Sequence, residues 1–282
     1  MALTVNTNVT SLNVQKNLNK ASDALSTSMT RLSSGLKINS AKDDAAGLQI
    51  ATRMTSQIRG QTMAIKNAND GISIAQTAEG AMQEQTNILQ RMRELAVQSR
   101  NDSNSSDDRD ALNKEFSQMA AELTRIAGST NLNGKNLLDG SASTMTFQVG
   151  SNTGATNQIT LDLTAKFDAD SLGITSGITI AGSDSTVAET NFSAAVGAID
   201  DALKTINASR ADLGAAQNRL TSTISNLQNI NENASAALGR VQDTDFAAET
   251  AQLTKQQTLQ QASTSVLAQA NQLPSAVLKL LQ

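Results

Sequence analysis

The chain has 282 residues, 39% hydrophobic and 2% aromatic, with no His, Cys, Trp or Tyr and a single Pro. Its net charge of -4, from 22 basic and 26 acidic residues, leaves no basic surplus for a phosphate backbone and argues against nucleic acid as a partner. Without Cys there is neither a disulfide framework nor a thiolate metal site, and without His the usual general bases and zinc ligands are gone, so neither an enzyme nor a cofactor protein is expected.

With so few aromatic residues, Ala, Leu, Ile, Val and Met must do the packing, which suits helix seams better than a deep core. Residues 1–11 have no basic residue before Lys16 and no apolar centre, so no cleavable secretory signal is expected there. No apolar run approaches the roughly 20 residues that span a bilayer. A first helix is predicted along Leu18, Leu25 and Leu32, with Val14 and Ala21 beside them. Ser33-Ser34-Gly35 and Asn39-Ser40 interrupt it, and Lys42-Asp43-Asp44 places carboxylates at the start of the next helix, where the helix dipole favours them.

That next helix is predicted over residues 44–100. Ile58, Ile65 and Ile72 form one row at intervals of seven, and Ala68, Ala75, Met82, Leu89 and Ala96 form another. This is the spacing of a seam for a partner helix, on an element roughly 80 Å long at 1.5 Å per residue. The polar residues 101–108 end it. A second helix follows with Leu112, Phe116, Met119, Leu123 and Ile126 at alternating steps of three and four, and Gly128 is predicted to close it.

From 128 to 182 the character changes, and half of the 16 glycines fall here. Met145-Thr-Phe147-Gln-Val149 and Ile159-Thr-Leu161-Asp-Leu163 alternate apolar and polar across a Gly, Asn and Thr loop, the pattern of a β-hairpin. Ile178-Thr-Ile180 is predicted as a further short strand. Beyond it, Ile199, Ile206, Leu213, Leu220, Leu227, Ala234 and Val241 recur at sevens, accompanied by Val196, Leu203, Ile224 and Leu238. Arg210, Gln217 and Asn231 are polar entries in that second row, of the kind that fixes register at some cost in stability. A last segment repeats the device with Leu259, Val266, Leu273 and Leu280, and Pro274 is expected to kink or restart its final turns.

The fold expected is mainly α: a long antiparallel coiled-coil or helical-bundle rod with a small β-hairpin region at the chain midpoint. Residues 1–43 and 244–282 form terminal coiled-coil segments, 44–140 and 190–243 the helical rod, and 141–189 a short hairpin or variable region. The two long seams can satisfy each other, closed by the helix of Leu112 to Ile126, whereas two thin outer helices leave much of each apolar stripe wet. Each seam Leu so exposed forgoes about 1.5 to 3 kcal/mol of burial. Both ends are therefore expected to be disordered in a free monomer and to fold against neighbouring copies in an open, head-to-tail fibre.

The sequence resembles bacterial flagellin. Arg31-Leu-Ser-Ser-Gly-Leu-Lys-Ile-Asn-Ser-Ala-Lys-Asp-Asp-Ala-Ala-Gly-Leu48 is similar to that family's N-terminal signature. Leu89-Gln-Arg-Met-Arg-Glu-Leu-Ala-Val-Gln98, Asn133-Gly-Lys-Asn-Leu-Leu-Asp-Gly140, Leu213-Gly-Ala-Ala-Gln-Asn-Arg219 and Gln260-Gln-Ala-Ser-Thr-Ser-Val-Leu-Ala-Gln-Ala-Asn-Gln272 resemble further family segments in the same order. The resemblance implies an extracellular filament subunit of the flagellum. It also implies export through the flagellar type III channel, an export chaperone, a filament cap, a hook-filament junction protein and a host Toll-like receptor as partners. By resemblance Gln90, Arg91, Leu95, Gln98 and Glu115 match the receptor-binding surface, although from the residues alone they are a solvated helix face. Val277, Leu278, Leu280 and Leu281 likewise match C-terminal residues sensed by inflammasome receptors, with packing in the fibre as their other role. The middle of this chain leaves room for little beyond the hairpin, so the outer domains of longer flagellins are expected to be missing or vestigial.

Other motifs are weaker. Ser34-Gly-Leu-Lys37 fits a penicillin-binding pattern without its Ser-Asp-Asn or Lys-Thr-Gly partners, and Asp102-Ser-Asn104-Ser-Ser106 lacks the Gly and the bidentate Glu of a calcium loop. Asn207-Ala-Ser209 is a glycosylation triplet set on a predicted helix. Two alternatives to a filament subunit stand: the hook-filament junction protein, of the same architecture, and a signalling coiled coil, which should carry membrane spans.

Overall fold

A computed structural model describes residues 7–280, with side chains as far as Gln272. Among the described residues there are five long helices: α1 (Val9–Ser34), α2 (Ala45–Ser99), α3 (Ser106–Ser129), α4 (Ser185–Gln242) and α5 (Phe246–Leu280). Two antiparallel hairpins lie between α3 and α4, β1 (Asn131–Leu132) with β2 (Lys135–Asn136), and β3 (Ser143–Gln148) with β4 (Gln158–Leu163). The mainly α fold with a small mid-chain hairpin region is thus as the sequence predicts. The chain forms two compact units, one of Met1–Ile58 with Glu232–Gln282 and one of Arg59–Asn231. No helix among the described residues is long and apolar enough to cross a membrane.

In the unit of Arg59–Asn231, α2 buries an unbroken heptad row at alternating steps of three and four: Gln61, Ala64, Ala68, Gly71, Ala75, Ala78, Met82, Gln85, Leu89, Met92, Ala96 and Ser99. The predicted row Ala68, Ala75, Met82, Leu89 and Ala96 is part of it. The row of Ile58, Ile65 and Ile72 is only half-buried, because small residues take the centre. The hairpin of β3 and β4 needs them: a Cβ on Gly71 would lie 3.2 Å from both the Phe147 ring and Leu220 Cδ1, and one on Gly60 would lie 2.9 Å from Ser151 Cβ. Asn67 Nδ2 fixes the approach by donating to the Gln148 carbonyl at 3.0 Å. The larger isoleucines flank this seat.

This arrangement reverses an ordinary expectation for helix glycines. Replacing Gly80, which faces open space, by Ala is expected to stabilise the fold by up to ~1 kcal/mol through helix propensity. Gly71→Val is expected to destabilise it by ~1 to 3 kcal/mol through overpacking against Phe147 and Leu220. Urea unfolding of the two variants checks the opposite signs.

α4 answers α2 with Ile199, Ile206, Leu213, Leu220 and Leu227, all buried as the sevenfold spacing predicts. The buried flanking positions, however, are Ala195, Ala202 and Ala216, one residue before the half-buried Val196, Leu203 and Gln217. Two of the polar entries pair across the seam, Gln217 Nε2 with Glu79 Oε2 at 2.8 Å and Asn231 Nδ2 with Thr62 Oγ1 at 3.3 Å. α3 closes the core with Phe116, Leu123 and Ala127. It starts at a reciprocal cap, in which Asp108 N donates to Ser105 Oγ and Ser105 N to Asp108 Oδ2. The Ser105 hydroxyl and then its backbone amide hold the Asp108 carboxyl below its ordinary pKa. The helix does not close at Gly128, which lies within its last turn. Thr130 caps it, donating from both N and Oγ1 to the Ile126 carbonyl at 3.0 and 2.7 Å.

The segment of Ile178 and Ile180 is not a strand. Its backbone is satisfied by side chains instead: Ile180 N donates to Asn113 Oδ1 at 3.0 Å, and Ser99 Oγ donates to the Ile180 carbonyl at 2.5 Å. With those groups occupied, no neighbouring strand is needed. Arg109, 4% exposed, completes the corner, with Nε on the Ser99 carbonyl at 3.1 Å, Nη1 on that of Gly182 at 3.4 Å and Nη2 on that of Asn101 at 3.5 Å.

The unit of the two chain ends is built on α1 and α5. Asn8 caps α1, and Gly35, at φ +74°, ends it in the left-handed conformation that favours glycine. The following turn is tied to the link between α4 and α5 through Lys37 N to the Gln242 carbonyl at 2.7 Å and Thr244 N to that of Gly35 at 2.9 Å. Of the two carboxylates expected at the start of α2, Asp44 takes that place, its Oδ1 accepting from Gly47 N in the first turn, whereas Asp43 Oδ2 accepts from Asn39 N and Ser40 N and closes the preceding turn instead. Helix α5 continues through Pro274 to Leu280.

Candidate assembly and recognition surfaces

α1 and α5 run antiparallel. Asn8 Nδ2 donates to the Ala270 carbonyl at 2.8 Å, Ser11 Oγ to Asn271 Oδ1 at 2.8 Å, and Arg31 pairs with Glu249 at 3.5 Å at the other end. The face α1 turns inward carries Ser11, Ala21 and Ser28 fully buried and Val14, Leu18, Leu25 and Leu32 half-buried. On α5 the covered row is Glu249, Leu253, Gln256, Gln260, Ser263, Leu267 and Ala270. This seam is unusually polar. It includes two Ser hydroxyls on one helix and two Gln amides on the other, and both Arg31 Nε and Glu249 Oε1 are buried without a hydrogen-bond partner.

The apolar row predicted from Leu259 and Val266 lies on another face of α5. Leu259 is 44% exposed and Val266 52%, with the exposed Ala262 between them. The spacing of three and four keeps the three on one stripe. α1 adds exposed Val9, Leu12 and Met29. The helix pair therefore covers a mixed row of Leu, Val, Ala and polar side chains and leaves several of its larger apolar ones uncovered. Leu273, Val277, Leu278, Leu280 and Leu281 lie outside the residues whose side chains are described.

In the other unit, the sequence-predicted recognition residues divide. Gln90, Arg91 and Gln98 are exposed on α2, with Glu115 of α3 half-exposed beside them. Arg91 bridges the two helices, from Nη1 to Glu94 Oε2 at 2.9 Å and from Nη2 to Glu115 Oε1 at 3.1 Å. The hydrogen bonds to Glu94 and then Glu115 raise the guanidinium pKa above its ordinary value. Leu95 is not on that surface. It is 0% exposed and packs in the core with Leu89, Met92 and Phe116, because it belongs to the side of α2 turned toward the bundle. Its contribution to the patch is to hold α2 in place beneath it. Glu94 and the 56% exposed Val97 belong to the face instead. Helical spacing could have found both, Glu94 three residues from Arg91 and Val97 seven from Gln90.

Among the described residues no group of His, Cys, Asp and Glu could hold a metal ion. Long heptad helices, an uncovered apolar stripe on a polar-seamed terminal helix pair and a charged bridge on the helix surface define the class, an α-helical structural subunit. The bacterial flagellin N-terminal helical region matches residues 5–143, and the bacterial flagellin C-terminal helical region matches residues 196–281. Flagellin B of Vibrio cholerae is 43% identical and Flagellin A of Vibrio anguillarum 41%, each over all of this chain and all of the relative. The chain belongs to the bacterial flagellin family, whose members are structural subunits of the flagellar filament outside the cell. The alignment to Flagellin B runs over 375 positions against 282 residues here, so that relative carries residues this chain lacks. The fold is shared with a solved flagellar hook-associated protein from Vibrio parahaemolyticus, at TM-score 0.59 and 14% identity, covering 71% of this chain and 100% of that one.

Proposed function

We propose that the chain is exported through the flagellar type III channel with the aid of a chaperone and polymerises beneath a cap into the filament that drives motility. In this reading residues 1–43 and 244–282 make the contacts between subunits, 44–140 and 190–243 form the body, and 141–189 are what remains of the variable insert. The observation that carries it is the mixed seam of the helix pair, with Gln256 and Gln260 covered on α5 while the exposed Leu259 and Val266 are left to neighbours. Leu18, Leu25 and Leu32, half-buried against α5, and Leu273 complete the self-assembly rows.

The face of Gln90, Arg91, Gln98 and Glu115, supported from within by Leu95, is the surface a host Toll-like receptor engages. Val277, Leu278, Leu280 and Leu281 serve packing in the fibre and cytosolic sensing. The likeness in fold to a hook-associated protein favours the junction protein as the second reading. Deleting residues 1–42 or 244–282 tests the first. The expected product is a folded, soluble monomer that forms no fibres in the electron microscope. Fibres hundreds of nanometres long from either truncation contradict the role given to the termini, and discrete short assemblies from the intact chain support the junction reading.

A further inference from the structure

We propose that Asn133 is a deamidation site, at which water slowly converts a side-chain amide into a carboxylate and, in part of the molecules, reroutes the backbone through an isoaspartyl link. The hairpin of β1 and β2 has two residues in each strand and turns on Asn133-Gly134 alone, with Leu132 paired to Lys135 across it. Both turn residues have positive φ, +52° and +76°, as a type I′ turn requires. Both are exposed, and a Cβ on Gly134 would meet nothing within 4 Å. A side chain at position 134 would hinder attack by that residue's own amide nitrogen on the preceding side chain, and Gly has none.

The chemistry balances without an added reagent. The Gly134 nitrogen attacks Asn133 Cγ, the new C–N bond forms, and the Cγ–Nδ2 bond breaks as ammonia leaves with the amide proton. Water then opens the resulting succinimide at either carbonyl, giving Asp with the original backbone or isoaspartate with an extra methylene in it. Water enters and ammonia departs, and nothing is oxidised.

The structure also explains why this Asn is singled out. Asn133-Gly134 is the only Asn-Gly step in the chain. The Asn-Ser steps are held: Asn39 Nδ2 donates to Ser34 Oγ at 2.7 Å and Asn104 Nδ2 to the Gln98 carbonyl at 2.7 Å. Asp139, before Gly140, can form the same succinimide, but its carboxylate accepts from Asn136 Nδ2 and from both N and Oγ of Ser141. A hairpin with two-residue strands is marginal by itself, so it opens locally at low cost and admits the attack geometry that the closed turn withholds. Asp is tolerated at positive φ, so the Asp product keeps the turn. The isoaspartyl product lengthens a two-residue loop whose strands lead directly into Leu137 and Leu138, both 0% exposed.

The test incubates the full chain at pH 8 and 37 °C and follows it by peptide mass spectrometry, with the synthetic peptide of residues 127–140 alongside as the unstructured reference. The expected result is a gain of about one dalton concentrated at Asn133, with isoaspartate detected by enzymatic carboxyl methylation and no comparable gain at Asn39 or Asn104. The gain is absent from Asn133→Ser, and Asn133→Asp carries the charge from the start, gains no mass and develops the methylation signal only more slowly, since an Asp-Gly step reaches the same succinimide by losing water. Conversion at Asn39 or Asn104 as fast as at Asn133 overturns the assignment, as does an Asn133 that stays intact in the full chain over the time in which the peptide converts.

Discussion

Leu259→Asp with Val266→Asp is expected to leave an intact, helical monomer that does not polymerise. Both side chains lie outward, 44% and 52% exposed, so neither carboxylate disturbs the α1–α5 seam. On the assembly role proposed above the same positions are covered in a fibre, and covering them contributes roughly 1 kcal/mol each from the area still wet in the monomer. The double variant forfeits that contribution and buries two charges, which costs several kcal/mol more unless they are paired. Together these terms raise the concentration needed for polymerisation by at least about a hundredfold, since each 1.4 kcal/mol is a factor of ten. Sedimentation across a concentration series reads this directly, and circular dichroism confirms the monomer. Leu253→Asp is the matching control. It lies in the covered row and is expected to block polymerisation by a different route, breaking the α1–α5 seam that forms on assembly.

Arg109→Met is expected to cost the unit of Arg59–Asn231 about 3 kcal/mol. The guanidinium is buried among the carbonyls of Ser99, Asn101 and Gly182 and lies 3.6 Å from Asp102. Met fills much of the volume but strands the buried Ser99 carbonyl and removes the donors to the part-buried ones of Asn101 and Gly182, at ~1 to 3 kcal/mol for each buried group left unsatisfied. Arg109→Lys is expected to recover only part, because an ammonium group cannot span acceptors that a planar fork reaches together. For a unit of this size the loss corresponds to a fall of roughly 10 °C in Tm, which calorimetry resolves.

Much of this fold was legible in the sequence because heptad spacing is a strong signal and Pro is nearly absent. The row from Ile199 to Leu227 is buried at every step, and the alternation in β3 and β4 located the main hairpin to within a few residues. The spacing alone misplaced the centre of the α2 seam. It weighted Ile58, Ile65 and Ile72 by size, whereas the close seat of Phe147 over Gly71 reserves the middle for small residues. The β1–β2 turn was missed although Asn133-Gly134 is a hairpin signal, since strands of two residues leave no alternation to read. Arg109 was invisible for a different reason. An Arg among the acidic residues at the head of α3 reads as surface charge, and only the convergence of three backbone carbonyls makes it a buried one.

The surfaces were partly legible. Leu259 and Val266 follow from periodicity, but their outward direction does not, because a row at sevens fits whichever face meets a partner. The covered row of α5, with Gln256 and Gln260 in it, looks like solvent-facing sequence until α1 is seen against it. Leu95 shows the converse: its resemblance to a recognition segment drew it into a surface patch, while its own apolar character placed it in the core beneath Arg91.

Amide hydrogen exchange along the chain, measured first on dilute unassembled protein and then on fibres, tests the central claim most directly. A polar seam that cannot hold two helices together should leave residues 9–34 and 246–272 exchanging at least about a hundredfold faster than residues 82–96 before assembly, with protection in the termini appearing only in the fibre. Equal, slow exchange in both regions of the unassembled chain would show that α1 and α5 stabilise each other without neighbours.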